Sequence, residues 1–195
     1  MTVRKGAEWG QQVARPGGLV VAASDAELAA LVDDRPAAPL AVTAGDLRRT
    51  LGDGVEGPTM QRVALDVLRV VADEVEMCAV AHVVARRSWL RGRIVGVFNC
   101  EHLGRWDVAP RGHPNDGLAE VFDVDATMSL RQRLQAWRRL PSGTHVPHPA
   151  IGVSRSPTAN WEFAAPLTLY VDGVRRGSVT RLAVAIEADA YHLHV

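Results

Sequence analysis

His145 and His148 stand three residues apart in Thr144-His145-Val146-Pro147-His148-Pro149, and His113 and Asp116 lie upstream of them. Imidazoles and a carboxylate together could bind a transition metal. Pro147 and Pro149 exclude a regular helix, however, so the two rings are not held on one face as in a helical zinc motif. A rigid turn with locally hydrogen-bonded imidazoles is the plainer reading. Asp116-Gly117, after Pro114-Asn115, and Asp172-Gly173, before Arg175, Arg176 and Gly177, read as tight turns, because Asp and Gly tolerate unusual backbone angles. Nucleophilic catalysis has no candidate. Ser142-Gly143 lacks the strand-to-helix elbow of a serine nucleophile, and neither Cys78 nor Cys100 has a histidine at diagnostic spacing. Two cysteines are too few for a disulfide framework or a four-thiolate zinc site, and they read as small buried hydrophobes in a reducing compartment.

The elements that must position these residues follow from periodicity. The first fifteen residues lack it and read as a mobile or loosely docked arm. Leu19 to Ala23 is a short strand, and Ser24 with Glu27 three residues on is a capping-box pattern opening a helix over Asp25 to Val32. Pro36 and Pro39 end it. A second strand over Leu40 to Thr43 and a helix over Asp46 to Leu51, stopped by Gly52, complete a small parallel α/β layer, followed by a polar turn over Asp53 to Pro58. From about Val63 the pattern changes to strands, with runs at Glu76 to Val84, Arg93 to Asn99, Leu167 to Val171, Leu182 to Ile186 and Tyr191 to Val195. In the last run Tyr191, Leu193 and Val195 face one side and His192 and His194 the other. One helix interrupts the strands, capped by Ser129 and Gln132 and ending before Pro141. Its stripe is Leu130, Leu134, Trp137 and Leu140, with Arg131, Arg138 and Arg139 largely turned away. Those arginines could lie against acidic lipid headgroups, although charges on a helix face are usually solvated.

The 195 residues are 47% hydrophobic with no net charge, which suits a globular protein and gives no global field for nucleic acid or an anionic membrane. No apolar run of membrane-spanning length and no secretory leader is visible, so a cytoplasmic location is expected. Lys5 is the only lysine beside abundant arginine, a sign of base-composition bias.

Several of the short pieces occur in a meaningful order. Val97-Phe98-Asn99, Gly104, Ala109-Pro110, Asn115-Asp116-Gly117-Leu118, Gly143-Thr144-His145, His148-Pro149 and Val171-Asp172-Gly173 together resemble the second domain of the diacylglycerol kinase, sphingosine kinase and bacterial lipid kinase family, over roughly Val95 to Val195. Ala44 to Gly52 is similar to the segment G-T-x-N-D-x-A-R-x-L-G that ends the family's nucleotide domain, with its Thr and Asn altered. The resemblance implies an α+β protein, with a lipid-kinase-type, mainly antiparallel β-sandwich domain over 59–195 packed on a truncated α/β remnant over 1–58.

It also implies site residues. Asp116 and the carbonyls of His113 and Leu118 would hold a structural Mg²⁺, oxygen ligands suited to a hard cation. Asp46, Asn99, Gly173 and His145 would line the ligand cleft, with Asp172 in the position of the family's D-G-E. Val174 stands where that motif has its proton acceptor, and valine accepts no proton. The G-G-D-G-T run whose amides approach the phosphates of ATP is absent from the 195 residues, and Gly17-Gly18 is no substitute. The reading is a degenerate relative that binds a lipid-like or phosphorylated ligand, or a partner kinase, with a lipid-like small molecule or a membrane surface as the partner to test. The alternatives are an active ATP-dependent lipid kinase using Asp46, Asp172 or Glu8, and a structural homodimer.

Overall fold

The computed structural model describes residues 9–34, 37–52 and 57–195. Lys5, Glu8, Pro36 and most of the turn beginning at Asp53 lie outside the described residues. The chain runs β1 (Gln11–Ala14), β2 (Val20–Ala22), α1 (Asp25–Asp33), β3 (Leu40–Val42) and α2 (Asp46–Leu51). Seven strands follow: β4 (Thr59–Ala72), β5 (Val75–Ala79), β6 (His82–Arg86), β7 (Ile94–Phe98), β8 (His102–Leu103), β9 (Trp106–Asp107) and β10 (Ala119–Val124). Helix α3 (Leu130–Arg139), β11 (Ile151–Ser156), β12 (Thr158–Val171) and β13 (Val174–His194) complete it. No helix among the described residues is long and apolar enough to cross a membrane.

Eleven strands are hydrogen-bonded into one sheet along the path β1-β4-β13-β12-β6-β7-β10-β11, while β8 and β9 form a separate hairpin. The pairing is antiparallel except in the α/β portion, where β2 runs parallel to β3 and β3 meets β13 at Leu40 and Leu193. The α/β portion shares one apolar cluster with both ends of the β-rich region, including Leu28, Leu47, Leu65, Val67, Val80 and Leu193.

Both capping signals hold. Ser24 accepts the Glu27 N–H, and Ser129 and Gln132 form the reciprocal pair. Several strand boundaries differ from the sequence reading, for physical reasons. Gln11–Ala14 is not a loose arm but an edge strand on β4. The apolar run Glu76 to Val84 is two strands, because the N–H groups of Val80 and Ala81 turn to the Asp172 carboxylate instead of to a neighbouring strand. The runs at Leu182 and Tyr191 are one strand. A bulge between Glu187 and Tyr191 divides its pairing, and Asp189 at that bulge has φ +52°. In β12 the register shifts between Glu162 and Leu167, across Pro166, which has no N–H for the ladder. His192 is exposed as expected, whereas His194 is buried with Nδ1 3.2 Å from the Leu40 carbonyl.

Helix α3 also departs from its predicted stripe. Trp137 and Leu140 face inward, but Leu130 and Leu134 are 54% and 44% exposed, and the most buried side chain is Arg133. Its guanidinium donates to four backbone carbonyls, those of Met128 (3.0 Å), Gly92 (2.5 Å), Asp125 (2.9 Å) and Trp89 (3.5 Å). This set of acceptors, not the leucine stripe, fixes the rotation of the helix.

Candidate functional site

The turn between β12 and β13 consists of Asp172 and Gly173, flanked by the pair Val171 and Val174. A two-residue hairpin of this type needs positive φ at both central positions, here +47° and +77°. The turn directs the Asp172 carboxylate inward. It accepts the N–H groups of Val80 (2.9 Å), Ala81 (2.9 Å) and His82 (3.0 Å), so its polar capacity is committed to fixing the β5–β6 crossing. Burial raises the Asp172 pKa, and the nearby His82 charge and the three N–H groups oppose that shift.

His82 carries the site on to α2. Its Nε2 lies 2.9 Å from Asp46 Oδ2, and Asp46 Oδ1 accepts the Gly104 N–H at 2.7 Å. Burial by itself would lower the pKa of this imidazole. The hydrogen bond to Asp46 and the charges of Asp172, Asp46 and Asp25 outweigh it and hold the pKa above its ordinary value. Asp25, at the start of α1, accepts the Asp46 N–H (2.6 Å) and the Leu47 N–H (3.3 Å), capping α2 from another element. Gly45 has φ +122° and a Cβ there would collide with the Asp25 carboxylate, so glycine is required. Burial pushes Asp25 up to about 6, against the Asp46 N–H that lowers it. Of the expected cleft residues, Gly173 lines the cleft and Asp46 adjoins it through His82 and Gly104. Asn99 is fully buried, and its amide donates to the carbonyls of Asp66 (2.9 Å) and Val80 (3.2 Å), so it ties strands together. His82 and Asp25 carried no sequence signal of their own, since each is a lone polar residue whose partner lies 36 or 21 positions away.

The fourth expected cleft residue, His145, lies elsewhere. It helps to line an apolar cavity of ≈ 110 Å³ enclosed by α3, the β8–β9 hairpin and the faces of β6, β7 and β10. Trp89, Trp106 and Trp137 stack edge to face along one wall, with centroid separations of 5.8 and 5.4 Å, and Phe98 and Phe122 form the other. His145 is 4% exposed, stacks on Phe122, and neither ring nitrogen has a hydrogen-bond partner among the described residues. The Val108 backbone approaches the ring without reaching hydrogen-bond geometry, and burial lowers the imidazole pKa, so the ring is neutral at pH 7.

At the expected cation loop, Asp66 takes the central place. Its carboxylate accepts the N–H groups of Gly117 (2.8 Å) and Asp189 (2.9 Å) and the Asn115 amide (3.4 Å), and burial raises its pKa to about 6. Asp116 accepts the Leu118 N–H (3.1 Å) and is ion-paired with Arg155, whose Nε lies 2.7 Å from Glu120. A guanidinium therefore already supplies positive charge to the one carboxylate implied as a metal ligand. A cation there would compete with Arg155 for Asp116. Among the described residues no three His, Cys, Asp or Glu side chains are grouped as a metal site, and His148 Nδ1 accepts the Ala150 N–H. Asp116→Ala should lower stability by about 1–3 kcal/mol, read as a fall in Tm, because the Leu118 N–H loses its acceptor and Arg155 loses one of its two carboxylate partners. Melting at the parent's temperature would mean that the loop is only a turn. Cys78 and Cys100 are buried free thiols, with Cys78 pushed up to about 12 by burial, and neither is poised for reaction.

No family model and no curated protein matches the sequence. Solved structures do match the fold. A crystal structure of a diacylglycerol kinase from Bacillus anthracis str. Sterne superposes with a TM-score of 0.63 at 13% identity, covering 90% of this chain and 75% of that one. A second structure from the same organism, described as a proposed diacylglycerol kinase, gives a TM-score of 0.67 at 12% identity over 90% and 77% of the two chains. At that identity the likeness is one of architecture, and the chain has the fold of diacylglycerol-kinase-like proteins.

Proposed function

We propose that this chain binds a lipid-like ligand and does not itself transfer phosphate. The observation that carries the reading is the apolar cavity under α3, walled by aromatic rings and holding one deeply buried, unpartnered imidazole, His145. A buried polar group without a partner costs about 1–3 kcal/mol. A ligand that supplies the missing hydrogen bond recovers that cost while burying its aliphatic part. Leu130 and Leu134, left in solvent beside Arg131 and Arg138, are the surface through which α3 would meet a membrane.

Against phosphotransfer stand two features of the chain. By the resemblance Val174 stands where the family has its acceptor, and the 195 residues contain no glycine-rich phosphate cradle. Loss of a general base costs about 10²- to 10⁴-fold in rate, but loss of the groups that align and neutralise the phosphates removes the larger part of the catalysis. Asp172 is no replacement base while three N–H groups hold its carboxylate.

The test has two arms. With Mg²⁺-ATP the protein should yield no phosphorylated diacylglycerol or sphingoid base, and Val174→Glu should not restore activity. A medium-chain alcohol should bind saturably by tryptophan fluorescence. Ala136→Phe, which fills the cavity, should weaken that binding at least about tenfold without lowering Tm. Lipid phosphorylation by the parent chain, or alcohol binding indifferent to Ala136→Phe, would overturn the reading.

A further inference from the structure

The apolar cavity has a neighbour on the side of the Asp172-Gly173 turn, the cleft that Gly173 borders. A second hollow of ≈ 370 Å³ adjoins it, and Val84, Trp89, Leu103 and Trp106 line both. The two hollows differ in character. At the cleft, Arg86 projects from the end of β6 and Arg105 from the β8–β9 turn, and Gly173 of the hairpin borders the same space.

The Arg86 guanidinium is sandwiched between two rings, with Cζ 4.3 Å from the Trp89 centroid and 4.5 Å from that of Tyr170. These contacts orient the cation without neutralising it. Arg86 Nε is buried with no hydrogen-bond partner, and neither Arg86 nor Arg105 forms an ion pair among the described residues. Among the described residues no Asp or Glu lines the cleft. The nearest acid in the network, Asp46, has one oxygen on His82 and the other on the Gly104 N–H. Elsewhere in the fold arginines of similar burial are paired: Arg69 with Asp33 and Glu187, Arg93 with Asp123, Arg155 with Asp116 and Glu120. A fixed, partly desolvated guanidinium without a counter-anion, beside a cavity for an aliphatic chain, has the complementarity of an anionic amphiphile.

We infer that the ligand of this chain carries an anionic head, a carboxylate or a phosphate monoester, held by Arg86 and Arg105 at the cleft, with its aliphatic tail in the cavity beside His145. The inference rests on the cavity's being a ligand site and adds the charge class of the ligand. Arg86 offers its fork to two oxygens of the head and Arg105, exposed at the rim, supplies the second charge.

Octanol, octanoate and octyl phosphate share one tail and differ in head, and their affinities are to be compared by calorimetry on the full chain. The anionic probes should bind at least about tenfold more tightly than octanol. Tighter binding of octyl phosphate marks a phosphate head, and tighter binding of octanoate marks a carboxylate. Arg86→Gln should reduce the discrimination between the anionic probes and octanol to within about threefold. Because Arg86 also stacks on two rings, Arg105→Gln, at an exposed position, is the second variant and should reduce the discrimination in part. Equal affinity for all three probes, or discrimination that survives both substitutions, would overturn the anionic head and leave the cavity reading standing. No binding of any probe would overturn both.

Discussion

Asp172→Ala is expected to destabilise the protein by about 3–5 kcal/mol, a fall in Tm of roughly 10 °C or more, although the residue sits in a hairpin turn. The physical reason lies in the three N–H groups of Val80, Ala81 and His82, all buried and all donating to this one carboxylate. Removing it leaves three donors without acceptors and abolishes the anchor that holds the β5–β6 crossing against the β12–β13 turn. Asp172→Asn is the informative partner, since it keeps an acceptor oxygen on one side and presents an NH₂ group on the other. Its loss should fall between that of alanine and the parent in a urea unfolding series. If alanine costs less than about 1 kcal/mol, the carboxylate is not the structural tie described above, and its place beside the cleft would have to be explained by ligand chemistry.

Arg133→Met should be the second large effect, costing about 2–4 kcal/mol, with the loss concentrated in α3. Methionine keeps most of the length and the apolar stem but provides none of the donors to Met128, Gly92, Asp125 and Trp89. Among the described residues the guanidinium makes no ion pair; burial lowers its pKa against the opposing charge of Asp125, so these carbonyls compensate for its burial. Trp137 follows Arg133 by one helical turn and lines the cavity, hence loosening the helix should shift its fluorescence to the red and weaken tail binding. Arg131→Met on the exposed face of the same helix should stay within about 0.5 kcal/mol of the parent. Equal effects from the two substitutions would show that general charge on the helix, not the carbonyl set, is what matters.

Local pattern was enough to place α1, α2 and α3, because the starts of α1 and α3 are written in residues three apart and the helix ends in proline or glycine, although the cap of α2 comes from Asp25 on another element. It was enough for the Asp172-Gly173 hairpin, whose backbone angles only a few residue types accept. The order of short turns carried the resemblance to the lipid-kinase fold, which the structural likeness bears out. Strand limits were less legible. Glu76 to Val84 looks continuous in sequence, and only the arrival of Asp172 from 92 positions away divides it.

The placement of the candidate site residues was hidden from the sequence for the same reason. Local sequence singled out His145, Gly173 and Asp46 as residues to watch, but nothing in it separates a cleft residue from a cavity residue: Gly173 borders the cleft, His145 lines the cavity, and Asn99 braces strands. Arg86, Arg105 and Arg133 are three arginines in a chain rich in them. Whether an arginine is paired, satisfied by carbonyls or left facing a cleft depends on which long-range partners the fold brings within 3 Å of it. The sequence by itself determined the helices, the tight turns and the types of residue available for chemistry, because those depend on neighbours along the chain. The tertiary structure alone decided which carboxylates are spent on backbone N–H groups and which cations remain without an anion, because hydrogen bonds and ion pairs act only at contact distance.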